Sequence, residues 1–541
     1  MMNSKMYIHM RKIFVGLTAA IVLLTGLMSC QDKIDEQFVD PEKTDQPSIP
    51  KFFTYMIDNS RVRPEYWNVR TFVVMHPALY TQSVSYLNAN KRYQQQFSYL
   101  DDYWRDYYTP AAGGVVAELR EMERLYATMT DEEKALVDVF MHAAKVLYYD
   151  QTAQMVDMWG DIPFTQAGSM SLNRDIVLPE FDKAEDIYNT ILAGLEEEAN
   201  YFAHASPVDL ASRSFTKQDI LMQGSLEGWR RYANSLRLRA LMRISNYNPG
   251  KAETDVMKML NSPVDYPLVD DAGENILLAP QTTYLDNMRG ALTEVRSHLA
   301  PRFLLDDVLK PANDPRIRVM YDKNVHIDDD DEDIKTWNPA YYSMPNDIGS
   351  SDQEAGIAHG HFAVLDSITF LNNKYFPGIV FTSYETGFLK AEAYERWGTT
   401  TDAEAAYNQA VKDAVRFTYY LHTLGLAGGK GKEDELTSDE LDTFMANANI
   451  AYTGTPDQKL QKIWLQKWVA FGFWQSTQNW AEVRRTNYPV LPFVADANGG
   501  DYKLPSSRLV YPPNEKTYNA VNYAKVSSKD TPTTKIFWDV N

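Results

Sequence analysis

Cys30 is the only cysteine in 541 residues. Disulfides within the chain are therefore excluded, and a protein of this size must hold itself together through its core. Basic residues are also in short supply, with 53 Lys and Arg against 73 Asp and Glu and a formal net charge of −20. Such a surface repels phosphate backbones and anionic lipid, so no nucleic acid is expected as a partner. The apolar run from Ile13 to Met28 is shorter than the ~20 residues of a membrane span. The motifs of common catalysts are missing or broken. Gly428-Gly429-Lys430-Gly431-Lys432 lacks the earlier glycine and the following hydroxyl of a phosphate loop, and neither a Gly-x-Ser-x-Gly elbow nor a His-Glu-x-x-His helix occurs.

What is present begins with an address. Lys5, Arg11 and Lys12 precede the Ile13 to Met28 run, and Leu27-Met28-Ser29-Cys30 closes it. Residues 1–29 thus read as a signal peptide rather than an anchor. Removing them takes away three basic and no acidic residues, which leaves the remainder more acidic still. The Leu-x-Ser-Cys ending resembles the lipobox of bacterial lipoproteins, which implies acylation at Cys30 and attachment to a membrane through lipid. Multiple acyl chains on one residue give a stable anchor where a single chain gives a marginal one. The acidic Gln31-Asp32-Lys33-Ile34-Asp35-Glu36 leader resembles surface-export signals of Bacteroidetes lipoproteins. Residues 30–50, with Pro41, Pro47 and Pro50, read as a lipidated, flexible tether.

Residues 51–541 are expected to form one all-α domain of helical repeats. From about 112 to 246 the apolar spacing is helical, with a capping-box order at Thr130-Asp131-Glu132-Glu133 and a Gly-Pro stop at Trp159-Gly160-Asp161-Ile162-Pro163. Within a second helical stretch, 381–485, Ala391, Tyr394, Gly398, Ala403, Tyr407 and Ala410 fall at the spacings of a tetratricopeptide unit. Small residues stand where two helices touch, aromatics where they interlock and a glycine at the turn. A looser copy fits Ala153, Val156 and Gly160, then Ala184, Tyr188 and Ile191, once roughly twenty residues are inserted between its helices. Arg230, Arg231, Arg237, Arg239 and Arg243 alternate with apolar positions and read as partners for carboxylates on neighbouring helices. Stretches 60–110, 262–380 and 486–541 show no sustained period and read as loop-rich insertions, which in compact proteins are usually functional.

Several motifs occur together and in order. They are Trp159-Gly160-Asp161-Ile162-Pro163-Phe164, Asp314-Pro315-Arg316-Ile317, the repeat unit 384–411, Lys467 to Pro489, Pro505-Ser506-Ser507-Arg508, Val510 to Glu515 and the closing Lys535-Ile536-Phe537-Trp538-Asp539. In that order the chain resembles the SusD/RagB family across nearly all of its length after the leader. The resemblance implies a bundle of tetratricopeptide-like helix pairs with an irregular, loop-rich lobe that presents ligand, and no enzyme activity. It also implies a place at the exterior face of the outer membrane, a SusC-like TonB-dependent transporter as partner, and an oligosaccharide as cargo. Peptide cargo, as in RagB-like members, and a structural lid without ligand contacts of its own are the alternatives it leaves open.

Sugar rings lie flat on indole and phenol rings while planar polar groups take their hydroxyls, so a glycan site needs several exposed aromatics on a rigid surface. The chain carries 34 Tyr, 11 Trp and 23 Phe. The candidate platform is Trp337, in the polar, proline-limited Lys335-Thr336-Trp337-Asn338-Pro339, with Tyr341, Tyr342, Tyr284 and Tyr80. Trp468, Trp474, Trp480 and Trp538, which lie inside the family motifs, read as packing residues. No catalytic residue, cofactor or metal ligand is assigned. His359 and His361 lack a third ligand, and the acidic run from Asp328 to Asp333, which might hold calcium, lacks the alternation and turn glycine of a calcium loop.

Overall fold

The structure, a computed structural model, describes residues 48–541 apart from 60, 64, 111–113, 281–287, 329–330, 332 and 428–434. The signal peptide, Cys30, nearly all of the tether, Tyr284, the Gly428–Lys432 loop and part of the acidic run therefore lie outside the described residues. Helix α1 spans Ile49–Ile57, α2 Phe97–Tyr108, α3 Val115–Ala127 and α4 Asp131–Trp159. The capping box read from the sequence opens α4. The Thr130 side chain accepts the Glu133 N–H while the Glu133 carboxylate accepts the Thr130 N–H, and Gly160, at φ 77°, ends the helix. A two-residue hairpin, β1 (Ile162–Pro163) with β2 (Phe181–Asp182), fills the insertion before α5 (Ala184–His204). Next come α6 (Asp209–Gln218), α7 (Leu226–Arg243) and α8 (Pro249–Asn261).

Between residues 262 and 380 the chain is irregular, as its composition predicts. It holds β3 (Ile276–Leu278), β4 (Tyr321–Asp322), β5 (Val325–Ile327), β6 (Lys335–Trp337), α9 (Ser350–Ala358), β7 (Val364–Leu365) and β8 (Gly378–Phe381). The strands form separate antiparallel pairs, β3 with β8, β4 with β7 and β5 with β6. Long helices then resume as α10 (Ser383–Trp397), α11 (Thr400–Leu426), α12 (Ser438–Ala446), α13 (Pro456–Phe471) and α14 (Ser476–Thr486).

The two tetratricopeptide-like copies are real helix pairs, α10 with α11 and, more loosely, α4 with α5. Close approach is built into both. A Cβ added at Gly387 would stand 2.7 Å from the Ala410 Cβ, and one at Gly194 would stand 2.3 Å from the Tyr149 ring. Helix α2 corrects the expectation of an irregular 60–110 stretch. Leu100, Tyr103, Trp104 and Tyr107 recur at helical spacing and are all buried, so an amphipathic helix forms where the dense tyrosines obscure the period.

Two large apolar clusters make the core. One gathers the buried faces of α1 to α7, and the other joins the 288–321 segment to α10, α11 and α13. Between them runs a buried ion network that includes Arg239 and Arg243 of α7. Arg237 pairs with Glu196 of α5 and Arg231 with Glu274, whereas Arg230 bonds Glu227 of its own helix and the Val264 and Asp265 carbonyls, which corrects its reading as a partner for another helix. Arg239 pairs with Asp150 at 3.0 Å and with Glu385 at 2.5 Å, and Arg243 with Asp157 at 3.2 Å and with Glu482. Arg485 of α14 holds Glu392 of α10 through two bonds of 2.7 and 2.6 Å and Glu482 at 2.7 Å, while Lys467 of α13 also bonds Glu482. Trp468, Trp480 and Trp538 are buried, with indole N–H groups of Trp468 and Trp538 donating to the Thr81 carbonyl and Asp157; Trp474 is partly buried against Phe370.

Candidate functional site

The β5–β6 hairpin presents Trp337 to solvent. Val325 pairs with Trp337, His326 with Thr336 and Ile327 with Lys335. All three residues of β6 are exposed, and Trp337 is 71% accessible. The hairpin is anchored immediately after the ring, because the buried Asn338 donates its Nδ2 to the Gly360 carbonyl at 2.8 Å. The exposed indole thus stands on a base whose polar groups are satisfied.

Tyr341 and Tyr342 follow but face different surroundings. Tyr342 is 45% exposed. Tyr341 is half-buried and lines a groove of about 390 Å³ with Asn313, Arg318, Asp439, Glu440 and Phe444. The Lys323 ammonium lies 5.4 Å from the Tyr341 ring centroid. On the far wall the Arg318 guanidinium grips Glu440 at 2.8 and 3.1 Å. The Thr437 backbone N–H, with Arg318 and the Thr437 hydroxyl, holds the Glu440 carboxyl down at about 2, so it is ionised throughout the physiological range. The groove therefore carries a phenol ring and an ion pair in its lining, with the Arg318 fork taken up by Glu440 and the Glu435 carbonyl.

Tyr80 does not belong to a platform. It is 2% exposed, with its ring 5.3 Å from Trp480 and its hydroxyl donating to the Tyr93 carbonyl at 3.2 Å. The ring that the first irregular stretch does offer is Trp67. It is 69% exposed and stands edge-on to Tyr66 at 4.9 Å, just before a π-helical turn over Asn68–Val73. That turn buries Val69 and Phe72 and leaves Trp67 outside, and π-turns are frequent at functional sites. Glu294 accepts from the Tyr66 hydroxyl at 2.6 Å and from Arg70 Nε at 3.2 Å, and the two bonds hold its carboxyl below the ordinary range. The sequence offers a weak signal for Trp67 in the polar Arg63-Pro64-Glu65-Tyr66-Trp67-Asn68 context, which matches that of Trp337.

Near the hairpin the His326 and His361 rings lie 4.9 Å apart and His359 and His361 5.9 Å apart. Among the described residues no group of three or more His, Cys, Asp or Glu side chains is placed to hold a metal, and no helix is long and apolar enough to cross a membrane.

Paired helices in a repeat bundle, with aromatic rings carried on its irregular insertions, set the chain among helical-repeat proteins with a loop-borne surface. A family model, SusD-like, described as starch-binding and associating with the outer membrane, matches residues 50–512, and the chain belongs to that family. Among solved structures it is similar to a chitin-binding protein (20% identity, TM-score 0.72, 91% of this chain and 100% of that one). It is also similar to a SusD-like protein from Bacteroidetes (22%, TM-score 0.70, 92% and 100%). A chitin-binding SusD homolog from Flavobacterium johnsoniae is comparable (20%, TM-score 0.68, 91% and 99%). At these identities the likeness establishes the fold alone. A search of curated proteins returned no match.

Proposed function

We propose that this protein is a non-catalytic, cell-surface glycan-binding lipoprotein that captures oligosaccharide and delivers it to a SusC-like TonB-dependent outer-membrane transporter. The observation that carries this reading is Trp337, a large ring 71% exposed on a hairpin whose base is pinned by the buried Asn338. A rigidly mounted indole is the element that binds the apolar face of a sugar at low entropic cost. Tyr341, Tyr342 and Trp67 extend the aromatic surface on this reading, and Tyr284 is a further candidate for it by its sequence alone.

Family membership supports the outer-membrane setting, and the names of two similar structures, both chitin-binding, support a polysaccharide as ligand. The leader ending at Cys30 supports the lipid anchor and the outward-facing location, with residues 30–50 as tether. The test is affinity electrophoresis of the purified protein through gels containing a panel of soluble polysaccharides, with Trp337→Ala alongside. Retardation by one polysaccharide that the variant loses is the expected result. Migration unchanged in every gel, together with binding of peptides in solution, would overturn it.

A further inference from the structure

A narrow cleft opens behind the π-helical turn that carries Trp67. Its volume is about 80 Å³, and its lining includes Arg61, Asn68, Phe72, Met288, Phe473 and Trp474. Four of those six are apolar or aromatic, and Gln154, Ser476 and Thr477 add polar groups to the wall. Three of the six bring buried hydrogen-bonding atoms that nothing among the described residues satisfies, Arg61 Nε, Asn68 Oδ1 and Trp474 Nε1. The Arg61 guanidinium lies 3.8 Å over the Tyr103 ring, and its terminal nitrogens bond the Tyr103 carbonyl and the Met155 sulfur, while Nε has no acceptor among the described residues. A buried polar atom left unpaired costs about 1–3 kcal/mol, which makes a cleft with three of them an unfinished arrangement.

The missing partner can be described by its chemistry. It must accept from Arg61 Nε and Trp474 Nε1, donate to Asn68 Oδ1 and place an apolar group against Phe72, Met288 and Phe473. An amide satisfies these conditions, because the two lone pairs of its carbonyl take the arginine and indole N–H groups and its own N–H donates to Asn68 Oδ1. The space also fits. At ~10–15 Å³ of such volume per water, 80 Å³ holds roughly five or more waters, enough for an acetamido substituent and too little for a whole pyranose ring. A carboxylate would suit Arg61 but gives Asn68 Oδ1 no donor, and the net charge of −20 opposes a polyanionic ligand.

We infer that this cleft is a specificity subsite for the acetamido group of a 2-acetamido sugar, with Arg61 and Asn68 recognising the amide and the apolar wall its methyl. The inference rests on glycan capture as the protein's function. It makes the cleft, and not the exposed rings, the place where one sugar is told from another, since rings stack on any pyranose.

Titration calorimetry of the purified protein decides it, with oligomers of N-acetylglucosamine, of glucosamine and of β-1,4-linked glucose at equal length, and with uronate oligomers and peptides as further arms. The N-acetylated oligomer is expected to bind about tenfold more tightly than the glucose oligomer, the worth of one net hydrogen bond and its apolar contact. Asn68→Leu, which fills the cleft, should abolish that preference. Should the Leu variant fail to fold, Asn68→Ser takes its place, and a preference that survives it overturns the subsite. Equal affinity for the N-acetylated and glucose oligomers overturns the subsite and leaves glycan capture intact. Tighter binding of uronate, or a preference that survives in a folded Asn68→Leu, also overturns it. Binding of peptides and of no glycan overturns both this inference and the function on which it rests.

Discussion

Glu392 sits at 0% exposure in the middle of the ion network, and its replacement by glutamine tests whether that network holds the two core clusters together. Its carboxylate accepts two bonds from Arg485 and one from Arg396 at 3.2 Å, with Lys467 at 3.7 Å. Burial by itself raises its pKa, but Arg485, Lys467 and Arg396 outweigh burial and hold it at about 2, below the ordinary 4.5. Glu392→Gln keeps the shape and removes the charge, leaving buried cations short of an anion. Breaking such a pair costs about 3–5 kcal/mol, to be read from guanidinium unfolding at pH 7.

The pH dependence adds a second constraint. A carboxylate depressed in the folded state contributes its full stability above the unfolded value near 4.5, and loses it as pH falls toward about 2. The glutamine variant has no such contribution to lose. The gap between the two proteins should therefore be widest at neutral pH and narrow between pH 4.5 and 2. Replacing both partners, as in Glu392→Met with Arg485→Met, should be less damaging than removing the glutamate alone, because no buried charge of that pair is left uncompensated. A loss under about 1 kcal/mol at pH 7, or a gap that widens on acidification, would refute the reasoning.

Trp67→Ala and Trp337→Ala should each weaken polysaccharide retardation in affinity gels by about 1–2 kcal/mol of binding, with thermal unfolding unchanged, since both rings are mostly solvated. Tyr80→Ala should do the reverse. Removing a ring that is 2% exposed destabilises the fold by about 3–5 kcal/mol, measurable by denaturant unfolding, and that loss distinguishes a core ring from a platform ring. Gly387→Ala puts a methyl 2.7 Å from the Ala410 Cβ and should cost about 1–3 kcal/mol by forcing α10 off α11, with a lowered unfolding midpoint as the readout.

Features determined by neighbouring residues were legible in the chain itself. The capping box at Thr130, the stop at Gly160, the α10–α11 repeat with its small and aromatic positions, and the buried arginines of α7 all rest on contacts within a few turns or on the rule that a buried arginine needs a carboxylate. Helix α2 escaped because half of its residues are aromatic, on its exposed as well as its buried side, which obscures the buried stripe of Leu100, Tyr103, Trp104 and Tyr107.

Which rings face solvent was a different matter. Tyr80 and Trp67 lie in the same irregular stretch and look alike by composition. Tyr80 is buried because Trp480, four hundred residues away in the chain, packs against it, whereas Trp67 is turned out by a π-helical turn whose buried side chains occupy the inward positions. The cleft likewise joins Arg61 and Asn68 to Met288 and Phe473. Local sequence carries periodicity, caps and composition, and so determined the repeat class and the number of available aromatics. The solvent exposure of a ring and the partnering of a polar atom depend on which distant segments pack against it, and only the tertiary structure decided those.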